Sequence, residues 1–408
     1  MNNRSLQDSY NILLRIYRDG AFANEEMKSV TSKRTAKIVY GVLDKHYELN
    51  YIVDSLAVGV KPVIKPLLLA GAYSLIYMDT PLNVVLNETG EILDEAGKSG
   101  VKKFCYAVLS KISRKEYEYP KKSDKRYLEV KYNLPSFLVG MFRKDYPDDY
   151  ERIISVRESP KIHIVKNVST DEEEIFAADR NAEKTLTGYF VNNNKEISYL
   201  NYLGKITITS YPSSLAAESV ARKFGKGSNV LDSCAAPGGK SVYLAMKGQN
   251  VVSCDIYPHR LDLIKAYAKR MKVSLTTVLQ DATEYNGDYE EKFDVVFADV
   301  PCSGLGVLTR RKDVVFNRTY DDIVALSELQ SKIVDNVSRY VKKGGLLVYS
   351  TCTVFDMENG KVIRKFLESH EDFAKQKIEL PYDNDGEIQF LPDGKGMEGF
   401  YLCHLAKK

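Results

Sequence analysis

Residues 229–241 read NVLDSCAAPGGKS, and the parsing of this stretch decides the architecture of the C-terminal half. An apolar run of strand length breaks into small residues and two glycines, then enters a helical pattern. That is a strand–turn–helix unit of the kind that builds nucleotide-binding α/β sheets. The glycines let the backbone approach a ligand, and the first amides of the helix face a carboxylate or phosphate. Gly-Gly-Lys-Ser resembles the end of a phosphate-binding loop, but such a loop needs a glycine five positions before Gly239, where Cys234 stands. The dinucleotide pattern G-x-G-x-x-G is absent too, so NAD and ATP both fit poorly.

Outward from this unit, strand and helix patterns alternate. Strands are expected at 229–234, 250–256, 275–282, 293–300, 345–352 and 399–406, separated by helical patterns such as RLDLIKAYAKRM and DDIVALSELQSKIVDNVSRYV. This alternation predicts a doubly wound, Rossmann-like parallel sheet whose ligands bind at the carboxyl ends of the strands. The fourth and fifth strands are expected beside the first.

Unusual residues fall at those strand ends. Asp255 follows the second strand, about 20 residues beyond the first turn, where a carboxylate can hold ribose hydroxyls. Asp281 follows the third, placed to meet an adenine amine. Together they describe a cofactor that carries a nucleoside. The fourth strand ends ADVPCSGLG, with Asp299 and Cys302 three apart, and the fifth ends YSTCTV, with Cys352. A thiol at a strand end is ordinarily packing, because free cysteine behaves as a small hydrophobe. Two thiols and a carboxylate at adjacent strand ends, facing a cofactor loop, favour catalysis instead.

The segments DSCAAPGGKS, DIYPHR, DVPCSGLG, YSTCTVFDMEN and EGFYLCHLAKK resemble the successive motifs of the RNA 5-methylcytosine methyltransferases. The likeness covers nearly the whole chain, since the helical N-terminal part is similar to the antitermination factor NusB. It implies S-adenosyl-L-methionine as cofactor, with Cys234, Ala235, Ala236, Pro237, Gly238, Gly239, Lys240, Asp255, Arg260, Asp281 and Asp299 as its contacts. It further implies Cys352 as nucleophile, Cys302 as the assisting cysteine, and Lys240 and Asp299 at the target base. The partner implied is ribosomal RNA of the small subunit, with cytosine 967 as target; another rRNA or tRNA site is the alternative. SYPSSLAAE departs from the acidic run usual in such proteins, which bears on contacts near Ser213 and Ser214.

The chemistry accounts for the residue types. Carbon 5 of cytosine is a poor nucleophile until a thiolate adds at carbon 6, and cysteine supplies a thiolate near neutral pH far better than serine. An amino-group methyltransferase would end the fourth strand in an Asn/Asp-Pro-Pro-aromatic turn, where this chain has a thiol. A catalytically silent RNA-binding assembly factor would have no use for both cysteines.

The 408 residues exceed one ordinary core, and 44% apolar composition argues for a globular chain. Helical periodicity from residue 5 to about 116 predicts five to seven helices. The domains expected are 1–126, an all-α NusB-like RNA-binding domain; 127–210, a small α+β, RRM-like linking domain; and 211–408, the methyltransferase domain. The longest apolar stretch, PLLLAGAYSLIYM at 66–78, is too short to span a membrane and reads as a buried helix. A soluble cytoplasmic monomer without a membrane partner is expected. Six cysteines without a C-x-x-C pair and five scattered histidines predict neither a metal site nor a disulfide framework.

Net charge is only +3, but residues 102–126 hold nine Lys/Arg against three Asp/Glu. A solvated helix end and a phosphate-contacting surface both explain such a run. Lys121 and Lys122 within it, and Arg310, Arg311 and Lys312 after the catalytic turn, are the expected RNA contacts. A ring carbon inside a base stack is out of reach, so the target base must be unstacked or single-stranded.

Overall fold

The computed structural model describes residues 4–156, 161–308, 314–316 and 318–408. The chain forms two compact units, Met1–Tyr150 with Arg311–Asn317, and Glu151–Arg310 with Arg318–Lys408.

The first unit is helical. Seven α-helices are described before residue 126, the first Ser5–Asp19 and the last Lys102–Ser113. Lys65–Tyr77 is apolar on all sides, with Leu67, Leu68, Leu69, Ala70 and Ala72 at most 1% exposed. It is therefore the central helix of the bundle, as its sequence reads. No described helix is long and apolar enough to cross a membrane. The unit continues past residue 126, where the sequence reading places a domain boundary. Helix Tyr127–Tyr132 ends at Asn133 in the left-handed conformation (φ 52°). The Asn133 side chain accepts from the Tyr47 amide at 2.9 Å and donates to the carbonyls of Leu43 and Asp44, satisfying carbonyls that a helix terminus leaves open. A contact 86 to 90 residues away in sequence thus ties this helix to the bundle.

The second unit holds two sheets. The smaller is formed by β1 (Ile162–Lys166), β2 (Glu183–Lys184), β3 (Tyr189–Val191) and β4 (Ile206–Ile208), in the order β2-β3-β1-β4 with every pair antiparallel. Helices Glu172–Ala178 and Lys195–Tyr202 complete a βαββαβ unit, the RRM-like topology expected. Helix Glu172–Ala178 has no side-chain cap. Asp171 holds the N-cap position without a side-chain bond, and the Thr170 hydroxyl donates to Lys205 O at 2.6 Å.

The larger sheet contains β5 (Asn229–Asp232), β6 (Asn250–Asp255), β7 (Thr276–Leu279), β8 (Phe293–Asp299), β9 (Val341–Thr351), β10 (Phe373–Lys375), β11 (Glu387–Phe390) and β12 (Phe400–Lys407). Its order is β10-β12-β9-β8-β5-β6-β7, with β11 on β12. Strands β5 to β9 are parallel, whereas β12 runs antiparallel to β9, so the sheet is mixed. The fourth predicted strand lies beside the first, but the fifth pairs with the fourth and not the first. Val295, Val296, Phe297, Leu346, Leu347 and Val348 are fully buried, as strands covered on both faces require. Strand order reverses between β5 and β8, which places the crevice for ligands at Asp232 and Asp299.

Candidate active site

The loop after β5 is shaped by its own backbone. Gly238 adopts φ 104° at the N-cap of helix Gly239–Met246, a conformation only glycine takes cheaply. A Cβ there would also lie 3.2 Å from Ile264. The Ala235 amide donates to Cys254 O at 2.8 Å, and the Ala236 amide points at Asp255 Oδ2 at 3.4 Å. Asp255 is 5% exposed; its other oxygen accepts from the Tyr257 amide at 3.1 Å, and Arg260 stands 4.0 Å away.

Lys240 and Asp299 meet across β5 and β8. The ammonium lies 2.6 Å from Oδ2, and the Ser350 hydroxyl donates to Oδ1 at 2.6 Å. Under this pair runs a buried polar chain: Ser253 donates to Ser241 at 2.8 Å, and Ser241 donates to Asp232 Oδ2 at 2.6 Å. Asp232 Oδ1 is buried without a hydrogen-bond partner among the described residues. Burial pushes its carboxyl up to about 7 against the pull of the Ser241 hydroxyl. A cavity of about 280 Å³ is lined by Thr209, Ser213, Asp232, Ala236, Lys240 and Asp299, among others. A larger cleft, about 730 Å³, opens at the amino ends of β5 to β8, beside Asn229, Asn250 and Phe293. It holds none of the glycine loop, whereas Ala235, Ala236, Pro237 and Gly239 line the smaller cavity at the strands' carboxyl ends, which is therefore the candidate site.

The two thiols are brought together. Asp299 and Ser350 are paired in register on β8 and β9, so the turns beyond them converge. Cys302 Sγ stands 3.0 Å from Cys352 Sγ, and the Cys352 amide points at Cys302 Sγ at 3.3 Å. The hydrogen bond with Cys352, then burial, pushes the Cys302 thiol well above its ordinary value. The Cys234 thiol is also raised, chiefly by burial. Asp281, beyond β7, spends Oδ1 on the Thr283 amide (2.8 Å) and hydroxyl (2.7 Å).

Lys121 and Lys122 are exposed on the helical unit, and Arg310, Arg311 and Lys312 lie outside the described residues. Part of the basic run is paired internally, Arg114 with Glu116 at 2.6 Å and Arg126 with Asp54 at 3.1 Å. Asp232, Ser350 and Glu358 join the site without having been among the residues expected from sequence. Asp232 had a visible signal, a carboxylate on the last residue of an apolar strand; Glu358 stood in a quoted motif without a role.

Residues 221–406 match the family model described as 16S rRNA methyltransferase RsmB/F, and residues 2–114 match the NusB family model. The Bacillus subtilis protein named probable ribosomal RNA small subunit methyltransferase B is 29% identical, over all of both chains. Residues 221–406 form an RsmB/F methyltransferase domain. Ribosomal RNA small subunit methyltransferase B of Shewanella oneidensis is 28% identical over 86% of this chain and 83% of its own. The solved structure of PH0851 shares the fold, with TM-score 0.84 at 24% identity over 100% of this chain and 99% of that one. So does NSun6 from Pyrococcus horikoshii with SFG, with TM-score 0.57 at 16% identity over 67% and 98%.

RsmB/F enzymes depend on S-adenosylmethionine, and so does this chain. Its residues fit that group. Gly239 and its neighbours Ala235 to Pro237 line the cavity, Asp255 offers a buried carboxylate with its amide neighbours already in place, and Asp232, also lining the cavity, has a buried oxygen without a partner among the described residues.

Proposed function

We propose that this RsmB/F enzyme methylates carbon 5 of a cytosine in small-subunit ribosomal RNA, at position 967, through a covalent bond between Cys352 and the base. The observation that carries this reading is the meeting of Cys302 and Cys352 at 3.0 Å, on strand ends adjoining the Lys240–Asp299 pair. Neither N-methylation nor O-methylation needs one thiol at that place, let alone two.

The cofactor, when bound, supplies an electrophilic methyl group. The loop from Cys234 to Lys240, with Asp255, Arg260, Asp281 and Asp299, holds it. Cys352 as thiolate adds to carbon 6 of the cytosine, which makes carbon 5 nucleophilic. Asp299, steadied by Lys240 and Ser350, hydrogen-bonds the protonated edge of the base and stabilises the adduct. After carbon 5 takes the methyl group, a base beside Cys302 removes the carbon 5 proton, the double bond re-forms, and Cys352 leaves with its electron pair. The raised Cys302 thiol supplies a proton next to the departing sulfur.

Relatives named as small-subunit rRNA methyltransferases support that substrate, and the NusB match at residues 2–114 supports an RNA-binding role for the helical part. The helical unit, which runs past residue 126, then serves RNA binding, the small four-stranded unit linking, and residues 211–408 catalysis. Lys121, Lys122, Arg310, Arg311 and Lys312 contribute phosphate contacts.

The test is a pair of variants assayed with labelled cofactor on small-subunit rRNA. Cys352→Ala should lose methyl transfer and keep cofactor affinity within a few fold. Cys302→Ala should accumulate a covalent protein–RNA species on denaturing gels. Near-normal turnover by Cys352→Ala would remove the nucleophile assignment, and mapping the label to a site other than cytosine carbon 5 would remove the reaction.

A further inference from the structure

Glu358 has no part in the chemistry above, yet it is fully buried, at 0% exposure. Among the described residues it has no ion-pair partner. Its oxygens are held by donors alone. Oε1 accepts from the Ser303 amide at 2.8 Å and from Gln330 Nε2 at 3.0 Å, and Oε2 accepts from the Ser303 hydroxyl at 2.6 Å. Three donors converging on one carboxyl match its ionised form, which accepts only. Gln330 also donates to Pro301 O at 2.9 Å, and the Tyr349 hydroxyl donates to the Glu358 carbonyl at 2.6 Å. The carboxylate therefore grips the turn on both sides of Cys302.

A buried charge of this kind is costly unless it is well hydrogen-bonded, and a neutral side chain of the same shape would tie the turn at less expense. The charge itself is what a neutral residue lacks. We propose that Glu358 is a positioning residue for the two-thiol site: it fixes the Cys302 turn against Cys352, and its negative charge holds Cys302 in the thiol form, leaving Cys352 as the sulfur that attacks. This rests on the cytosine-5 reading and deepens it, by assigning the two sulfurs their separate roles.

The groups facing the pair agree. From β9, Cys352 and Tyr349 point toward it, and burial raises Tyr349 well above its usual value, with the Glu358 charge next in effect. Arg318, entering helix Tyr320–Val337, donates to Ser303 O at 3.4 Å, and that helix contributes the neutral Gln330. Asp356, before helix Gly360–Ser369, is exposed and engaged by Arg364 at 2.6 Å. Burial raises Glu358 above the ordinary carboxylate value, with the Ser303 hydroxyl and amide, Gln330 and Thr353 pulling against it.

The experiment titrates Cys302 directly in the full-length protein. In Cys352→Ala, alkylation of Cys302 by iodoacetamide is followed against pH, and again with Glu358→Gln added. The second variant should alkylate about tenfold faster at pH 8.5, since a tenfold rise in thiolate is one unit of pKa. Cofactor affinity, read by calorimetry, should stay within a few fold. Superimposed pH profiles with cofactor binding intact would overturn the proposal. Should Glu358→Gln fail to fold, Cys352→Ala alone decides: its Cys302 must titrate above the ordinary thiol value of about 8.5, and a profile at or below that overturns the idea. A separate arm uses Glu358→Gln with both cysteines present, which should accumulate the covalent RNA species. If the wild type methylates no cytosine carbon 5, the reaction falls while the thiol titration still judges Glu358.

Discussion

Replacing Gly306 by alanine tests whether the thiol site depends on a single backbone crossing. Gly306 lies four residues beyond Cys302. Its amide donates to Cys352 O at 3.0 Å, and its carbonyl accepts from the Gly399 amide at 2.9 Å. A Cβ at 306 would sit 2.7 Å from the Gly399 carbonyl carbon and 2.8 Å from Cys352 O. Both are backbone atoms, so no rotamer change relieves the clash. Separating these segments enough to admit the methyl loses two hydrogen bonds, about 1 kcal/mol each, and adds about 1–3 kcal/mol of overpacking. The expected loss is about 3–5 kcal/mol from the methyltransferase unit. Cys352 is displaced with its own carbonyl, and a shift of about 1 Å in a reacting group lowers turnover about 100-fold. Gly344→Ala is the control. It has φ 74° with no atom within 4 Å of the added Cβ, so it costs only the left-handed backbone, about 1–2 kcal/mol. Urea unfolding with and without cofactor isolates the transition of this unit, and methyl transfer reports the site. A Gly306→Ala enzyme no less stable than Gly344→Ala, with wild-type turnover, would refute the reasoning.

Other perturbations probe other parts of the site. Lys240→Met leaves Asp299, 30% exposed, with Ser350 as its one remaining side-chain partner among the described residues. Screening at that exposure holds the cost to about 1–3 kcal/mol, and methylation should be lost; unchanged melting and turnover would show that the pair is idle. Asp232→Asn should alter how stability varies with pH. The native Asp232 carboxyl, raised to about 7 by burial, keeps its proton where the unfolded chain, at about 3.9, has released it. The native state binds more protons between those values, so this contribution is complete below about pH 4 and is lost as pH rises through about 7. The variant should therefore lose less stability between pH 5 and 8, and parallel melting curves across that range would reject the assignment. Changing Lys121 and Lys122 to Gln should make the log-log salt dependence of RNA binding shallower by about 1.4–1.8, with cofactor binding unaffected; an unaltered slope would mean that neither lysine meets a phosphate.

What could be read in the sequence, and what could not, follows from how far apart the cooperating residues lie. Strands β5, β6, β8 and the second half of β9 were legible because they are largely buried and appear as apolar-rich runs, whereas β7 is a half-exposed edge strand. Asp255, Asp299, Cys302 and Cys352 were legible because each sits on or just past such a run. An apolar run carries no direction, however, so the reversal of β12 was hidden, and β10 and β11, three and four residues long, are too short for a period to emerge. The environment of each reactive group was hidden for a deeper reason. Ser303 reaches Glu358 across 55 residues, and Gln330 reaches it across 28. In DMEN a glutamate looks like the solvated start of a helix, a place where acidic residues need no further cause. Only when β8 and β9 pair, and helix Tyr320–Val337 packs over their ends, does that carboxylate lose water and gain three donors. The reacting atoms are thus written locally, while the charges that tell one thiol from the other are assembled by tertiary structure, so a variant such as Glu358→Gln can change the chemistry of Cys302 without touching any residue that the motif would mark as catalytic.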